Sequence, residues 1–143
     1  MLRLPKLTDY AVVVLGALAQ EAGRVVTMPE LASRAGLPEP TVAKILKKLG
    51  KCGILAAQRG TRGGYRLLRD PAAITVADIV VALDGPVALT ECAGDRHGQC
   101  GMESRCAMRG QWNAINRAIA GVLAGVSLAD MQRGPDVEAR AGQ

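Results

Sequence analysis

Apolar residues recur at helical spacing through most of the chain. Leu7, Ala11, Val14, Leu15 and Leu18 fall on one face of an amphipathic helix. A shorter helix through Leu31, Ala32 and Ala35 follows Thr27-Met-Pro-Glu30, which has the spacing of a capping box with Pro29 in the first turn. Gly36 stops it. The next helix starts near Pro38–Pro40, where proline suits a start and not an interior. Its stripe is Val42, Ile45, Leu46 and Leu49, and its opposite face carries Thr41, Lys44, Lys47, Lys48 and Lys51. Two helices about a tight turn, the second basic, form a helix-turn-helix signature.

The pattern then changes. Ile54–Ala57 and Tyr65–Leu68 read as the strands of a hairpin, joined by Arg59-Gly-Thr-Arg-Gly-Gly64. A glycine-rich loop with two arginines, directly after a basic helix, is a wing whose backbone can approach a phosphate. Thr75-Val-Ala-Asp78 caps a fourth helix with Val76, Ile79, Val80 and Leu83 inward, ending at Asp84-Gly-Pro86. From about Val87 to Met108 periodicity is lost, and Gly94, Gly98 and Gly101 keep the segment irregular. A long helix from about Arg109 to Val126 carries Trp112, Ile115, Ile119, Val122 and Val126 on one stripe. That stripe either folds back on its own head or meets a second copy; dimerisation is the expectation, because helix-turn-helix proteins commonly read paired half-sites.

The expected fold is mainly α with a small β-hairpin wing, a winged helix-turn-helix with a long C-terminal dimerisation helix. Residues 1–84 form the DNA-binding domain and 85–108 a cysteine-rich, cluster-binding loop. Residues 109–131 form the dimerisation helix and a short terminal helix, and 132–143 a disordered tail.

Composition sharpens this picture. The 143 residues include no Phe, one Trp and two Tyr, so the core must be aliphatic. Arg3, Lys6 and the apolar run Ala11–Ala19 imitate a signal peptide, but Asp9 and Tyr10 interrupt it and its helical periodicity marks a core helix. No stretch is long enough to span a membrane, so a cytoplasmic protein is expected. Residues 1–70 carry twelve Lys/Arg against five Asp/Glu, whereas residues 71–143 carry six against eight. A basic half suggests a polyanion, and double-stranded DNA is the commonest one. The expected contacts are Lys44, Lys47, Arg59 and Arg62, with Glu39 and Thr41 nearer base edges. An enzyme is not expected: there is one histidine, no acid pair at plausible spacing and no nucleotide-binding glycine motif. Neither a small-molecule substrate nor a membrane is an expected partner.

Cys92, Cys100 and Cys106 lie in one segment too polar to pack as core. Clustered cytosolic thiols are more often metal ligands or redox centres than structural disulfides, and an odd number argues against simple pairing. An iron–sulfur cluster, 2Fe–2S or 4Fe–4S, needs a donor beyond these three thiolates. His97, Glu91 and Glu103 lie in or beside the loop, and the position could also stay open. The alternatives are structural zinc on Cys92, His97, Cys100 and Cys106, or a thiol–disulfide switch without metal. Cys52, which closes the basic helix, is expected to be core or partly buried.

Leu7-Thr-Asp-Tyr-Ala11, Leu37-Pro-Glu-Pro-Thr-Val-Ala-Lys44, Arg59-Gly-Thr-Arg-Gly-Gly-Tyr65 and the three-cysteine loop together resemble the Rrf2 family of winged-helix regulators, of the IscR/NsrR type. Leu89-Thr-Glu-Cys92, Arg109-Gly-Gln-Trp112 and Ser127-Leu-Ala-Asp-Met131 resemble its branch that regulates the SUF iron–sulfur assembly system. The resemblance covers about residues 1–131. It implies a homodimer whose helix near 38–51 enters the major groove while the wing reaches the minor groove. It also implies that Cys92, Cys100 and Cys106 hold a cluster whose state alters DNA affinity, the loaded form acting as repressor. One family pattern is broken: Arg109 stands where IscR-type members have a histidine, and guanidinium offers no lone pair to a metal. NsrR-type members use an aspartate from the partner subunit at the position of Asp9, which makes Asp9 the implied further ligand.

Overall fold

A computed structural model of the chain describes residues 1–21, 23–95 and 98–134. The first helix, α1 (Lys6–Ala19), buries Ala11, Val14, Leu15 and Leu18, the stripe expected from the sequence. Thr27 caps α2 (Met28–Ala35) by accepting from the Glu30 N–H at 3.3 Å. The reciprocal half of the capping box is absent, because the Glu30 carboxylate is taken by Arg24 (2.8 Å) and Arg34 (3.0 Å). Both arginines also bind Glu21, and their hydrogen bonds hold its carboxyl below the usual carboxylate range. Gly36 ends α2 at φ 65°, a left-handed turn into α3 (Glu39–Lys51), which buries Val42, Ile45, Leu46 and Leu49.

The hairpin is β1 (Leu55–Gln58) and β2 (Gly64–Leu67), antiparallel, with Leu55 opposite Leu67 and Gln58 opposite Gly64. Each strand is displaced by one residue from its expected position. Leu68 N–H still donates to Ile54 O at 3.1 Å, and a third rung that periodicity does not reveal adds to the sheet. Val26 and Tyr65 exchange backbone hydrogen bonds at 2.8 and 2.7 Å, seating the hairpin on the segment before α2. Gly64 is what lets the strands approach, since a Cβ there would stand 2.4 Å from the Val26 oxygen.

Thr75 and Asp78 form a full capping box at the start of α4 (Val76–Asp84). Burial raises the Asp78 carboxyl, but donation from Thr75 and Arg69 outweighs it and leaves the group below its ordinary value. A positive φ of 77° at Gly110 delays the C-terminal helix, so α5 runs Trp112–Ala124 and not from Arg109. Ser127 and Asp130 then cap α6 (Leu128–Gln132). The strand-like approach to α6 pairs with the approach to α4: Val76 N–H donates to Val126 O and Leu128 N–H to Ile74 O, both at 2.8 Å. Leu128 is thereby drawn into the aliphatic core of the head. Gln132, expected to begin the tail, belongs to α6, and residues 135–143 lie outside the described residues.

The fold is the expected one, mainly helical with a two-stranded wing. Of the α5 stripe, Trp112, Ile115 and Val122 are 43, 49 and 55 % exposed, while Ile119 is half-buried. The helix packs along α4 and leaves most of its apolar face bare. No helix among the described residues is long and apolar enough to cross a membrane.

Candidate functional site

Two sets of side chains stand at opposite ends of the molecule's chemistry, one basic and one sulfur-bearing. On α3, Lys44 and Lys47 are exposed on the face opposite the buried stripe; Glu39 is exposed at its first turn and Thr41 is half-buried. Arg59 and Arg62 are exposed in the turn between β1 and β2. That turn is compact: Gly63 N–H donates to Gly60 O at 3.0 Å, and a Cβ on Gly63 would lie 2.4 Å from Gln58 O.

Not every basic residue between Glu39 and Asp70 is available to a partner. Lys48 Nζ donates to Leu83 O at 2.9 Å, at the end of α4, which removes it from the lysine face on which the sequence places it. Arg69 binds Asp78 and the Ala73 carbonyl. The remaining six, Lys44, Lys47, Lys51, Arg59, Arg62 and Arg66, form no ion pair among the described residues. Arg66, exposed on β2, extends the basic set beyond the residues chosen from sequence. Alternation along a short strand would have flagged it.

The cysteine loop is less closed than its composition suggests. All of Cys92, Cys100 and Cys106 are free thiols, the first two half-buried and the third exposed. Among the described residues no three Cys, His, Asp or Glu side chains are placed to hold a metal ion. Asp9 lies exposed in the first turn of α1; its backbone N–H donates to Pro5 O at 3.3 Å, and its carboxylate has no hydrogen bond or ion pair among the described residues. Glu91 is exposed. Glu103 accepts from the Gly98 N–H at 2.6 Å and faces Arg109 at 3.6 Å, so it braces the loop. His97 lies outside the described residues. Cys52, expected to be at least partly buried, is exposed, because it caps α3 just before Gly53 turns the chain at φ 70°.

Sequence reasoning missed two asparagines. Asn116 is buried in α5 and bonds both ways to the first limb of the loop: Leu89 N–H donates to Oδ1 at 3.0 Å and Nδ2 donates to Val87 O at 2.8 Å. Asn113, one turn earlier, accepts from Gly94 N–H at 3.2 Å. Their three-residue spacing on a helix whose only other polar side chain is Arg117 was the available signal.

Comparison with known proteins points one way. The Rrf2 family model, described as an iron-dependent transcriptional regulator, matches residues 4–134. An Rrf2-like HTH-type transcriptional regulator of Rhodobacter capsulatus is 32 % identical over 130 residues, 85 % of this chain and 87 % of that protein. The HTH-type transcriptional regulator IscR of Photobacterium profundum is 30 % identical, over 99 % of this chain and 82 % of its own. Among solved structures, CymR, the global cysteine regulator of B. subtilis, superposes with a TM-score of 0.73 at 28 % identity, covering 95 % of this chain and all of that one. IscR of T. potens gives 0.67 at 28 % identity, covering 99 % and 91 %.

Proposed function

The chain belongs to the Rrf2 family of transcriptional regulators, and from that premise we propose that it is a dimeric repressor that senses iron–sulfur status and controls SUF assembly genes. The observation that carries the reading is three thiols on one loop, fastened by Asn113 and Asn116 to a helix whose apolar face is bare. A second copy covering Trp112, Ile115 and Val122 would remove that surface from water and pair two heads for two half-sites. In each head α3 enters the major groove. Lys44 and Lys47 neutralise phosphates, Glu39 and Thr41 sit nearest the bases, and Arg59 and Arg62 reach the minor groove from the wing.

The donor set fits a thiophilic group by its chemistry. Three thiolates suit an iron–sulfur cluster, and Asp9 is an unengaged carboxylate free to serve as a further ligand from the partner. Since the donors stand apart in the described residues, binding requires the loop to close. When bound, the cluster supplies a tie across residues 92–106 that iron shortage or an oxidant can cut. A non-thiolate fourth ligand makes that tie easier to lose. The motifs Leu89–Cys92, Arg109–Trp112 and Ser127–Met131 support SUF genes as targets.

A second reading is a thiol switch without metal. It is favoured by the free, separate state of the three thiols and by the likeness to CymR. Operator titration by fluorescence anisotropy separates the two. The proposed reading expects protein loaded with cluster without oxygen to bind SUF promoter DNA at least about tenfold more tightly than stripped, reduced protein, a coupling of about 1.4 kcal/mol. Equal affinities, with a change appearing only on disulfide formation, support the second.

A further inference from the structure

The loop between α4 and α5 is not uniformly held. Its first limb, residues 87–94, is attached to α5 through Asn116, which is 6 % exposed and spends both ends of its carboxamide on Val87 and Leu89. Asn113 holds Gly94 at the other end of that limb. Ala93 is fully buried, and Gly94 turns at φ 72° where a Cβ would lie 3.5 Å from Val87 O and 3.7 Å from Asn116 Nδ2. Cys92 lies inside this strip, half-buried, its sulfur 3.4 Å from Thr90 Oγ1.

The second limb is held differently. Several of its backbone hydrogen bonds run within the limb itself. Glu103 N–H donates to Cys100 O, Arg105 N–H to Met102 O and Arg109 N–H to Cys106 O, at 3.0 to 3.2 Å. These are local turns that can travel as a unit. Met102 and Met108 project from it 65 and 64 % exposed, as expected of a limb without apolar anchorage. Local turns with few buried contacts open at low free energy, whereas a strip bonded to a buried helical side chain does not.

We propose that Asn116, assisted by Asn113, is a positioning residue that makes Cys92 the fixed thiol of the loop and transmits loop closure to α5. Cys100 and Cys106 travel toward Cys92 when the three thiolates share a ligand. The strain of that closure enters α5 at Asn116, next to Ile115 on the exposed apolar face. The fixed-thiol part stands on the loop geometry alone; the transmission part rests on the metal reading above.

Trace alkylation of the reduced full chain by iodoacetamide, resolved by peptide mass spectrometry, tests the first part. Cys100 and Cys106 are expected to react at similar rates and Cys92 about tenfold more slowly. Asn116→Leu, of similar volume, narrows that gap to about twofold without altering the other two rates; the milder Asn113→Ala, which keeps both Asn116 bonds, narrows it to about fivefold. Equal rates for the three thiols in the wild type, or an unchanged gap in both variants, would overturn the latch.

For the second part the probe is Cd(II), followed by its thiolate charge-transfer band and by hydrogen exchange of the α5 amides. Cd(II) is expected to slow exchange in α5 of the wild type by about tenfold, and to bind Asn116→Leu at the same stoichiometry without that slowing. Binding to the wild type with no change in α5, or equal slowing in Asn116→Leu, would overturn the transmission. Failure of Cd(II) to bind the wild-type thiols removes the metal reading and the transmission with it, while the alkylation gap still decides the latch.

Discussion

Lys48 Nζ donates to the carbonyl of Leu83 at 2.9 Å, joining the last turn of α3 to the last turn of α4. Its charge thus sits where a helix leaves carbonyls unsatisfied and favours a cation. The lysines of α3 are therefore of two kinds. Lys44 and Lys47 point away from the head, and Lys48 holds the head together.

Lys48→Met is expected to cost about 1–2 kcal/mol of stability in urea unfolding, as the loss of a partly buried, charged hydrogen bond. It should leave the salt dependence of operator binding nearly unchanged. Lys47→Ala should do the reverse, with stability held within about 0.5 kcal/mol and the slope of log K against log salt reduced by about 1. An equal fall in slope for both variants would contradict the division.

Arg59 stands exposed at the start of the wing turn. Arg59→Ala is expected to weaken operator binding by about 1–3 kcal/mol at fixed salt if it enters a narrow minor groove. A titration indistinguishable from the wild type would remove it from the interface.

Gly64 lies where β2 crosses the Val26 carbonyl, with 2.4 Å available to a Cβ. Gly64→Ala must push the hairpin off the Val26 rung. A loss of about 1–3 kcal/mol is expected, with the wing loosened while α1 and α3 keep their packing. Thermal unfolding and amide exchange at Tyr65 measure both effects.

Asp78 links pH to stability. Hydrogen bonds from Thr75 and Arg69 outweigh burial and hold its carboxyl below the ordinary aspartate value. A depressed carboxylate contributes stability fully above its unfolded value and loses it as pH falls through the folded one. The wild type should therefore lose stability on acidification below about pH 4, and Asp78→Asn should show a shallower loss over the same range. Because the side chain is 37 % exposed, solvent screening keeps the difference small.

The helices and their inward faces were legible because Val42, Ile45, Leu46 and Leu49, or Val76, Ile79, Val80 and Leu83, repeat at helical spacing and end at glycine. The wing was legible from Arg59–Gly64. Contacts between distant segments were not. The Val26–Tyr65 rung, the pairing of Ile74–Val76 with Val126–Leu128, and the removal of Lys48 to Leu83 each depend on which elements come to lie side by side. Asn113 and Asn116 escaped notice for a related reason. An asparagine in a helix reads as a solvated residue until a loop is seen to need its amide. The cysteines drew attention by type and spacing, which identify a ligand class and say nothing of whether the thiols meet.

The proposed sensing stands on an iron–sulfur cluster held by Cys92, Cys100 and Cys106. An absorption spectrum with iron and sulfide assay, on protein purified without oxygen, tests it most directly. The expected result is a brown protein with broad visible absorption that disappears in Cys92→Ala, Cys100→Ala and Cys106→Ala alike. A colourless, iron-free protein after attempted reconstitution would contradict it.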